Sequence, residues 1–232
     1  MNGAFGGGIA DAEKAKEIVK QELSEYFLYT VEGRDTVPNG WAKRLPSFAA
    51  KDVPLASYYK FERERWGDNV MRFYRFKNDA ASKLGQEPLP NGEVNAFRTV
   101  TPDNLFAFIG RTSVKYIPIN ELVEMELGHD QEVLVKPTLT DWRKDDLRFD
   151  KDGKVAGWTV TENWRIEAQN SKEIDVTLDL RRNFQGDWSL KTEAAFEKLD
   201  AAKVKFLVIL KAREKKQIDY ELVTHYGINV SR

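Results

Sequence analysis

The side chains with the most obvious chemical potential are five aspartates that fall within twelve residues of the chain. They are Asp141, Asp145, Asp146, Asp150 and Asp152. Clustered carboxylates can bind calcium or act as general acids and bases. The spacing does not match a calcium-binding loop, which places ligands at alternate positions around a central glycine. Basic residues are interleaved with the cluster, and Asp152–Gly153 marks a turn. We therefore expect a solvated hairpin, with Asp150 and Asp152 as the remaining candidate metal ligands.

Other catalytic groups are scarce. The chain has no cysteine, which excludes disulfides, thiolate zinc sites and cysteine nucleophiles. Its two histidines, His129 and His225, are isolated from each other in sequence, and isolated histidines are usually surface residues. No serine lies in a nucleophile-elbow pattern. The sequence therefore predicts a protein that is not an enzyme and needs no cofactor, and a carboxylate-based hydrolase is the least favoured function.

The tryptophans are a more informative group. Four of the six lie near predicted turns or strand ends: Trp41, Trp66, Trp142 and Trp188. Exposed rings at such positions stack on sugar rings or dock a partner protein, whereas buried rings simply cap a core. These four are the candidate binding residues. A glycan-binding β-sandwich would need at least two of them exposed and coplanar.

Composition narrows the range of partners. The 232 residues are 41% hydrophobic, which suffices for a real core in one or two domains. The 36 basic and 37 acidic residues nearly cancel, so no general field attracts nucleic acid or an anionic membrane. No apolar run approaches the roughly 18 residues of a membrane span. We expect no nucleic-acid partner and no transmembrane segment in this chain.

Hydrophobic periodicity predicts an all-β protein with a short N-terminal helix. Residues 1–24 are predicted to form a tail and a helix over 11–23, because apolar residues there recur at helical spacing. Residues 25–118 predict an irregular antiparallel β unit. Residues 119–232 contain about seven alternating strands with turns every 8 to 12 residues, the pattern of an immunoglobulin- or fibronectin-like β-sandwich. A long hairpin over 131–169, with Asp152–Gly153 at its tip, is the expected protrusion.

The segment from Leu84 to Val94 links two groups of strands in the first β unit. Its two prolines and two glycines prevent regular ladder pairing, because proline has no N–H and a fixed φ. We interpret the segment as a rigid crossover that fixes how this unit is built. Leu84 and Leu89 are expected to anchor it against the first sheet.

Three motifs in this order resemble a bacterial family. They are the run Arg72–Asn78 (RFYRFKN), Leu84–Gly85 with Pro88–Gly92 (PLPNG), and Phe108–Gly110 (FIG). Together with flanking segments they resemble the mucoidy-inhibitor-like C-terminal domain family, domain of unknown function 4139, over roughly residues 24–226. The family has no established catalytic residues to transfer. Its longer members resemble multi-part envelope proteins with coiled-coil helices before this region.

The resemblance implies that residues 1–24 are the stub of a longer chain. It also implies a place in the cell envelope, or export if the upstream chain carries a signal peptide. The first functional hypothesis is therefore a non-enzymatic structural or protein-interaction module of the bacterial cell envelope, with an unknown protein as partner. The alternative is a glycan-binding β-sandwich that uses exposed tryptophans.

Overall fold

The computed structural model describes residues 18–23, 26–31, 34, 36–44, 49–100 and 105–231. The chain divides into two compact units, Met1–Asp52 and Val53–Arg232. In the first unit, β1 (Ile18–Leu23) pairs antiparallel with β2 (Tyr26–Val31).

The helix predicted over residues 11–23 is wrong for residues 18–23, which form β1. Residues 11–17 lie outside the described residues. The apolar stripe that predicted the helix is thin, and an isolated helix of this length is marginal without a packed face. The aromatic, β-branched run of β2 follows directly and offers β1 a complete backbone ladder, so strand pairing overrides the local helical propensity.

The second unit contains twelve strands among its described residues. They are β3 (Ala56–Glu62), β4 (Val70–Lys77), β5 (Gly92–Val100), β6 (Leu105–Val114), β7 (Leu122–Asp130), β8 (Val133–Phe149), β9 (Val155–Asn170), β10 (Val176–Asn183), β11 (Asp187–Lys191), β12 (Glu197–Lys198), β13 (Lys203–Leu210) and β14 (Lys215–Gly227). A single helical turn, α1 (Arg63–Trp66), follows β3, and a 3-10 turn, Ala80–Ser82, follows β4.

These strands form three sheets. The six-stranded sheet has the order β12-β13-β10-β3-β4-β7, and the four-stranded sheet has the order β11-β14-β9-β8. A third, two-stranded sheet consists of β5 and β6. All neighbours are antiparallel except β3 and β10, which run parallel. The prediction of an all-β, sandwich-like protein is confirmed.

The main core lies between the two larger sheets. Phe61 of β3 and Leu178 and Leu180 of β10 face Ile166 of β9 and Val133 of β8, and all five side chains are fully buried. Alternate residues along each strand enter this core, as the period of a strand requires. The long hairpin predicted over residues 131–169 is formed by β8 and β9, which join at a turn containing Asp152 and Gly153.

The predicted division of the β region at residue 118 differs from this arrangement. β3 and β4 precede residue 118, yet β3 pairs with β10 and β4 pairs with β7 in one continuous sheet. Residues 58–62 of β3 are buried on both faces of the strand. β3 lies between β4 and β10 and so has a hydrogen-bonded neighbour on each side.

A fully buried asparagine holds the crossover from Leu84 to Val94. Asn78 Nδ2 donates to the carbonyl oxygens of Glu87 (3.0 Å) and Pro118 (3.1 Å), and its Oδ1 accepts from the backbone N–H of Gly85 (2.9 Å). Gly85 has φ of +79°, and a Cβ there would lie 2.5 Å from the Asp79 Cα. Leu89 forms a bridge with Ile117 and packs on a second, smaller core of Ile117 and its neighbours.

Replacing Asn78 with alanine should destabilise the fold by about 2–4 kcal/mol, because it leaves several buried backbone groups without partners. The free energy of unfolding from urea denaturation measures this loss. Asn91→Ala is the matched control, since Asn91 is exposed in the same crossover. Equal stability of the two variants would contradict a structural role for Asn78.

Candidate functional site

One concave surface that joins several elements is a cleft of about 580 Å³ beside the β5–β6 hairpin. We call it the hairpin cleft. β3 and β4 supply its floor, the hairpin supplies one wall, and the β9–β10 loop supplies the other. Twelve side chains line it: Leu55, Ser57, Tyr59, Arg72, Tyr74, Phe97, Arg98, Ile109, Glu132, Lys172, Glu173 and Ile174.

The strand register explains the floor of the hairpin cleft. Tyr59 lies opposite Arg72, and Ser57 lies opposite Tyr74, in the β3–β4 ladder. Residues directly opposite in an antiparallel pair share one face, so all four side chains lie on the inner face of the sheet. The β4–β7 pairing shifts register between Met71 and Phe73, so that Arg72 lies opposite two residues, Leu127 and Gly128, which form a bulge in β7. Bulges re-aim side chains and occur often beside functional sites.

Arg72 has an unused hydrogen-bond donor. Its Nε is buried and has no hydrogen-bond partner among the described residues. Its neighbour Tyr59 is buried, and burial raises the pKa of Tyr59 above its usual value although the Lys172 and Arg72 cations act in the opposite direction. Tyr59 therefore stays a neutral phenol at physiological pH. The floor of the cleft therefore presents an unpartnered guanidinium N–H beside the buried aromatic ring of Tyr59.

A second buried asparagine builds the opposite wall. Asn170 is fully buried; its Nδ2 donates to the carbonyl oxygens of Ile174 and Lys211, each at 2.8 Å, and its Oδ1 accepts from Lys172 N at 3.0 Å. These bonds fix the loop that carries Lys172 and Ile174 into the cleft. The Lys172 ammonium pairs with Asp130 (2.9 Å) and Glu132 (2.8 Å).

The charge on Lys172 is fully engaged by these carboxylates. Burial alone would lower the pKa of Lys172, but the hydrogen bonds to Glu132 and Asp130 outweigh it, so the pKa is raised. Lys172 is therefore a structural cation in the wall. Arg72 is the cation on the floor of the cleft, and its Nε–H donates to no described residue.

The β5–β6 hairpin exposes large apolar side chains beside the cleft. Leu105 is 65% exposed, Phe106 75% and Phe108 59%, and Phe97 and Val100 are also exposed. Phe97 and Phe108 meet edge to face, with ring centroids 5.7 Å apart. Gly110 sets the base of the hairpin against β7, because a Cβ there would lie 2.9 Å from the Leu127 carbonyl oxygen.

Sequence reasoning missed both parts of this site. The strand β6 has apolar residues on both faces, a pattern that is typical of a strand covered on both sides. The structure leaves its distal half exposed. The arginine-rich run Arg72–Asn78 was visible in the sequence only as a family motif. A bulge and a missing hydrogen-bond partner leave no local signal that could have singled out Arg72.

The four candidate tryptophans do not form a shared surface in the second unit. Trp66 is half-buried, with its ring 5.9 Å from Phe73. Trp188 is also half-buried, with Nε1 donating to the Ala201 carbonyl oxygen at 2.9 Å. Trp142 is exposed on β8, and it is the one exposed tryptophan among the described residues of this unit. Trp41 is exposed and belongs to the first unit.

The aspartate cluster lies on the exposed end of the β8–β9 hairpin. The Asp150 carboxylate accepts the backbone N–H groups of Asp152 and Lys154, both at 2.9 Å, and so closes the turn. Within the described part of the chain, no group of three or more acidic or histidine side chains is arranged to hold a metal ion. His225 hydrogen-bonds Thr159 at 3.0 Å between ring Nδ1 and hydroxyl oxygen.

Ionisable groups are concentrated on the outer face of the six-stranded sheet, away from the cleft floor. Glu124 pairs with Lys60 and Arg75, and Glu62 pairs with Lys203 at 2.7 Å. Burial raises the pKa of each carboxyl, but these hydrogen bonds outweigh it and leave both pKa values below the usual range. Carboxylates held ionised in this way suit structural ion pairs between strands and are poor general acids.

Comparison with known proteins assigns the chain to no family. The chain matches no protein-family model, and no curated protein or solved structure matches it. Among the residues that the structure describes, no helix is both long and apolar enough to cross a membrane.

The ion pairs on the outer face predict a pH dependence of stability. A carboxyl with a lowered folded-state pKa contributes stability that is complete above its ordinary value of 4.5 and is lost as the pH falls through the folded value. The free energy of unfolding should therefore decrease below pH 4.5, and Glu62→Gln should flatten that decrease.

Urea denaturation over a pH series measures the effect. The series repeated at high salt is the control, because salt screens exposed pairs more strongly than partly buried ones. A Glu62→Gln profile parallel to that of the unchanged protein would contradict the assignment.

Proposed function

We propose that this chain is a non-enzymatic protein-interaction module that docks a partner on the β5–β6 hairpin and the adjoining hairpin cleft. The observation that carries the proposal is the exposure of Phe97, Leu105, Phe106 and Phe108 on a two-stranded sheet. A two-stranded hairpin is marginally stable in water, and exposed apolar patches mark interaction surfaces. Aromatic and arginine side chains are also the residues enriched in interface cores.

The exposed apolar residues lie along both strands of the hairpin. Phe97 and Val100 lie on β5, and Leu105, Phe106 and Phe108 lie on β6. A protein partner can pack beside both strands.

A carbohydrate partner is less well supported. Sugar-binding platforms need exposed aromatic rings, and Trp66 and Trp188 are half-buried against Phe73 and Phe184. Trp142 alone would stack on one sugar ring. The rings of Trp158 and Tyr226 are stacked on each other, with centroids 5.2 Å apart, and Lys144 lies over Trp158, so these faces are already occupied.

The placement in the bacterial cell envelope rests on the resemblance of the motifs at 72–78, 84–92 and 108–110 to the mucoidy-inhibitor-like family. A carboxylate-based hydrolase has the least support, because the Asp150 carboxylate closes its own turn. Glu62 and Glu124 are likewise engaged in ion pairs.

Site-specific photo-cross-linking in the native cell tests the docking surface. A photoreactive phenylalanine at position 106 should give one discrete protein adduct, and the same residue at position 149 should not. Phe149 is the matched control, because it is also an exposed phenylalanine but lies at the far end of β8.

Phe108→Asp should reduce the adduct at position 106 by about tenfold or more, as expected for an aromatic residue central to an interface. Phe149→Asp should leave it unchanged. Equal labelling from both positions, or an adduct insensitive to Phe108→Asp, would refute the docking surface.

A further inference from the structure

We propose that the hairpin cleft binds the C-terminal carboxylate of a partner chain that ends in an apolar residue, with Arg72 as the group that pairs with the carboxylate. This inference rests on the proposed function, since it names the chemistry by which the docking surface would select its partner. The carboxylate site lies in the cleft, whereas the cross-linking experiment at position 106 tests the docking surface on the hairpin.

Arg72 has a buried donor that no described residue uses. A buried N–H without a partner is costly, and native structures seldom keep one without a reason. Arg72 Nε is such a group, as are Arg75 Nε and Trp164 Nε1, but of these three residues only Arg72 lines the cleft, where it lies opposite a bulge in β7. The guanidinium offers parallel N–H donors in a planar fork that matches a carboxylate. A carboxylate in the cleft would therefore satisfy a donor that the described residues leave unpaired.

The charge of the cleft lining favours a monoanionic ligand. Three basic side chains and two acidic side chains line it, which leaves one net positive charge. Glu132 is engaged by Lys172, and Glu173 is engaged by Arg213. A single net charge complements a monoanion. A phosphate or a polyanion would place excess negative charge beside Glu132 and Glu173, where like charges repel.

The apolar lining of the cleft favours a chain terminus over an acidic side chain. Leu55, Phe97 and Ile174 are exposed apolar residues in the lining of the same cleft as Arg72. A C-terminal residue carries its carboxylate and its apolar side chain on the same carbon atom, so one residue can contact both parts of the cleft. In aspartate or glutamate the carboxylate is itself the side chain, and the apolar wall would have no complementary group. The cleft volume of about 580 Å³ accommodates such a residue with room for the preceding one.

Binding of N-acetyl-phenylalanine to the whole chain, followed by NMR of the arginine Nε–H signals and the backbone amides, tests the proposal. N-acetyl-phenylalanine amide is the matched uncharged probe. We expect saturable binding of the acid, shifts centred on the Arg72 Nε–H and on residues of the cleft, and affinity for the amide that is lower by about tenfold.

Arg72→Gln should weaken binding of the acid by about tenfold, and Arg72→Lys should weaken it by a smaller factor because the charge remains but the fork is lost. Arg111→Gln is the matched control, since Arg111 lies on β6 but pairs with Asn95 and Glu93 outside the cleft. Thermal melts establish that each variant is folded. If Arg72→Gln does not fold, the comparison of Arg72→Lys with Arg111→Gln decides the outcome.

Two further probes separate the alternatives. N-acetyl-aspartate α-amide presents a side-chain carboxylate, and inorganic phosphate presents a compact multivalent anion. Equal or tighter binding of either probe than of N-acetyl-phenylalanine would overturn the assignment to a chain terminus. Equal binding of the acid and its amide, or no effect of the Arg72 variants, would overturn the role of Arg72.

The two proposals can fail separately. Loss of the cross-link at position 106 with intact binding of N-acetyl-phenylalanine would refute the protein-docking surface. An intact cross-link without binding of the acid would refute only the carboxylate site.

Discussion

The parallel pairing of β3 with β10 is the contact on which the rest of the second unit depends. It aligns Tyr59 with Leu178 and Phe61 with Leu180, residues that are about 120 positions apart in the chain. Phe61, Leu178 and Leu180 are fully buried, so this ladder lies at the centre of the main core. Without it, β4 and β7 would have no link to β10 and β13, and the six-stranded sheet that covers the core would not exist. The β4 register that aims Arg72 into the cleft depends on the same sheet.

The same ladder explains why several charged residues are buried. Lys60, Glu62 and Asp179 lie on the central strands and are nearly inaccessible to water. Burying an unpaired charge is costly, so each must find a partner of opposite sign. Lys60 pairs with Glu124, Glu62 with Lys203, and Asp179 with Arg181. These pairs favour the native strand order, because a shifted register would leave the charges buried and unpaired.

Two buried asparagines connect this framework to the candidate site. Asn78 holds the crossover that leads into the β5–β6 hairpin, and Asn170 holds the loop that carries Lys172 and Ile174. Each satisfies backbone groups of two segments that have no regular ladder. Hydrogen bonds to buried side chains therefore anchor the loop that forms one wall of the hairpin cleft and the crossover that leads into the other. Anchored walls reduce the entropy that binding must overcome, which suits a recognition surface.

Local sequence signals determined the all-β class, most strands of the second unit, the long β8–β9 hairpin with Asp152–Gly153 at its turn, and the crossover at Leu84–Val94. These features depend on side-chain alternation, turn residues and proline chemistry, which act within a few residues. Tertiary structure alone decided that residues 18–23 form a strand, that β3 pairs with β10 across the predicted division at 118, and that Trp66 and Trp188 are half-buried. It also decided that Phe106 is exposed and that Arg72 Nε has no partner among the described residues. Periodicity specifies which face of a strand is apolar, but not which distant segment covers that face, and that choice depends on the long-range burial of the whole core.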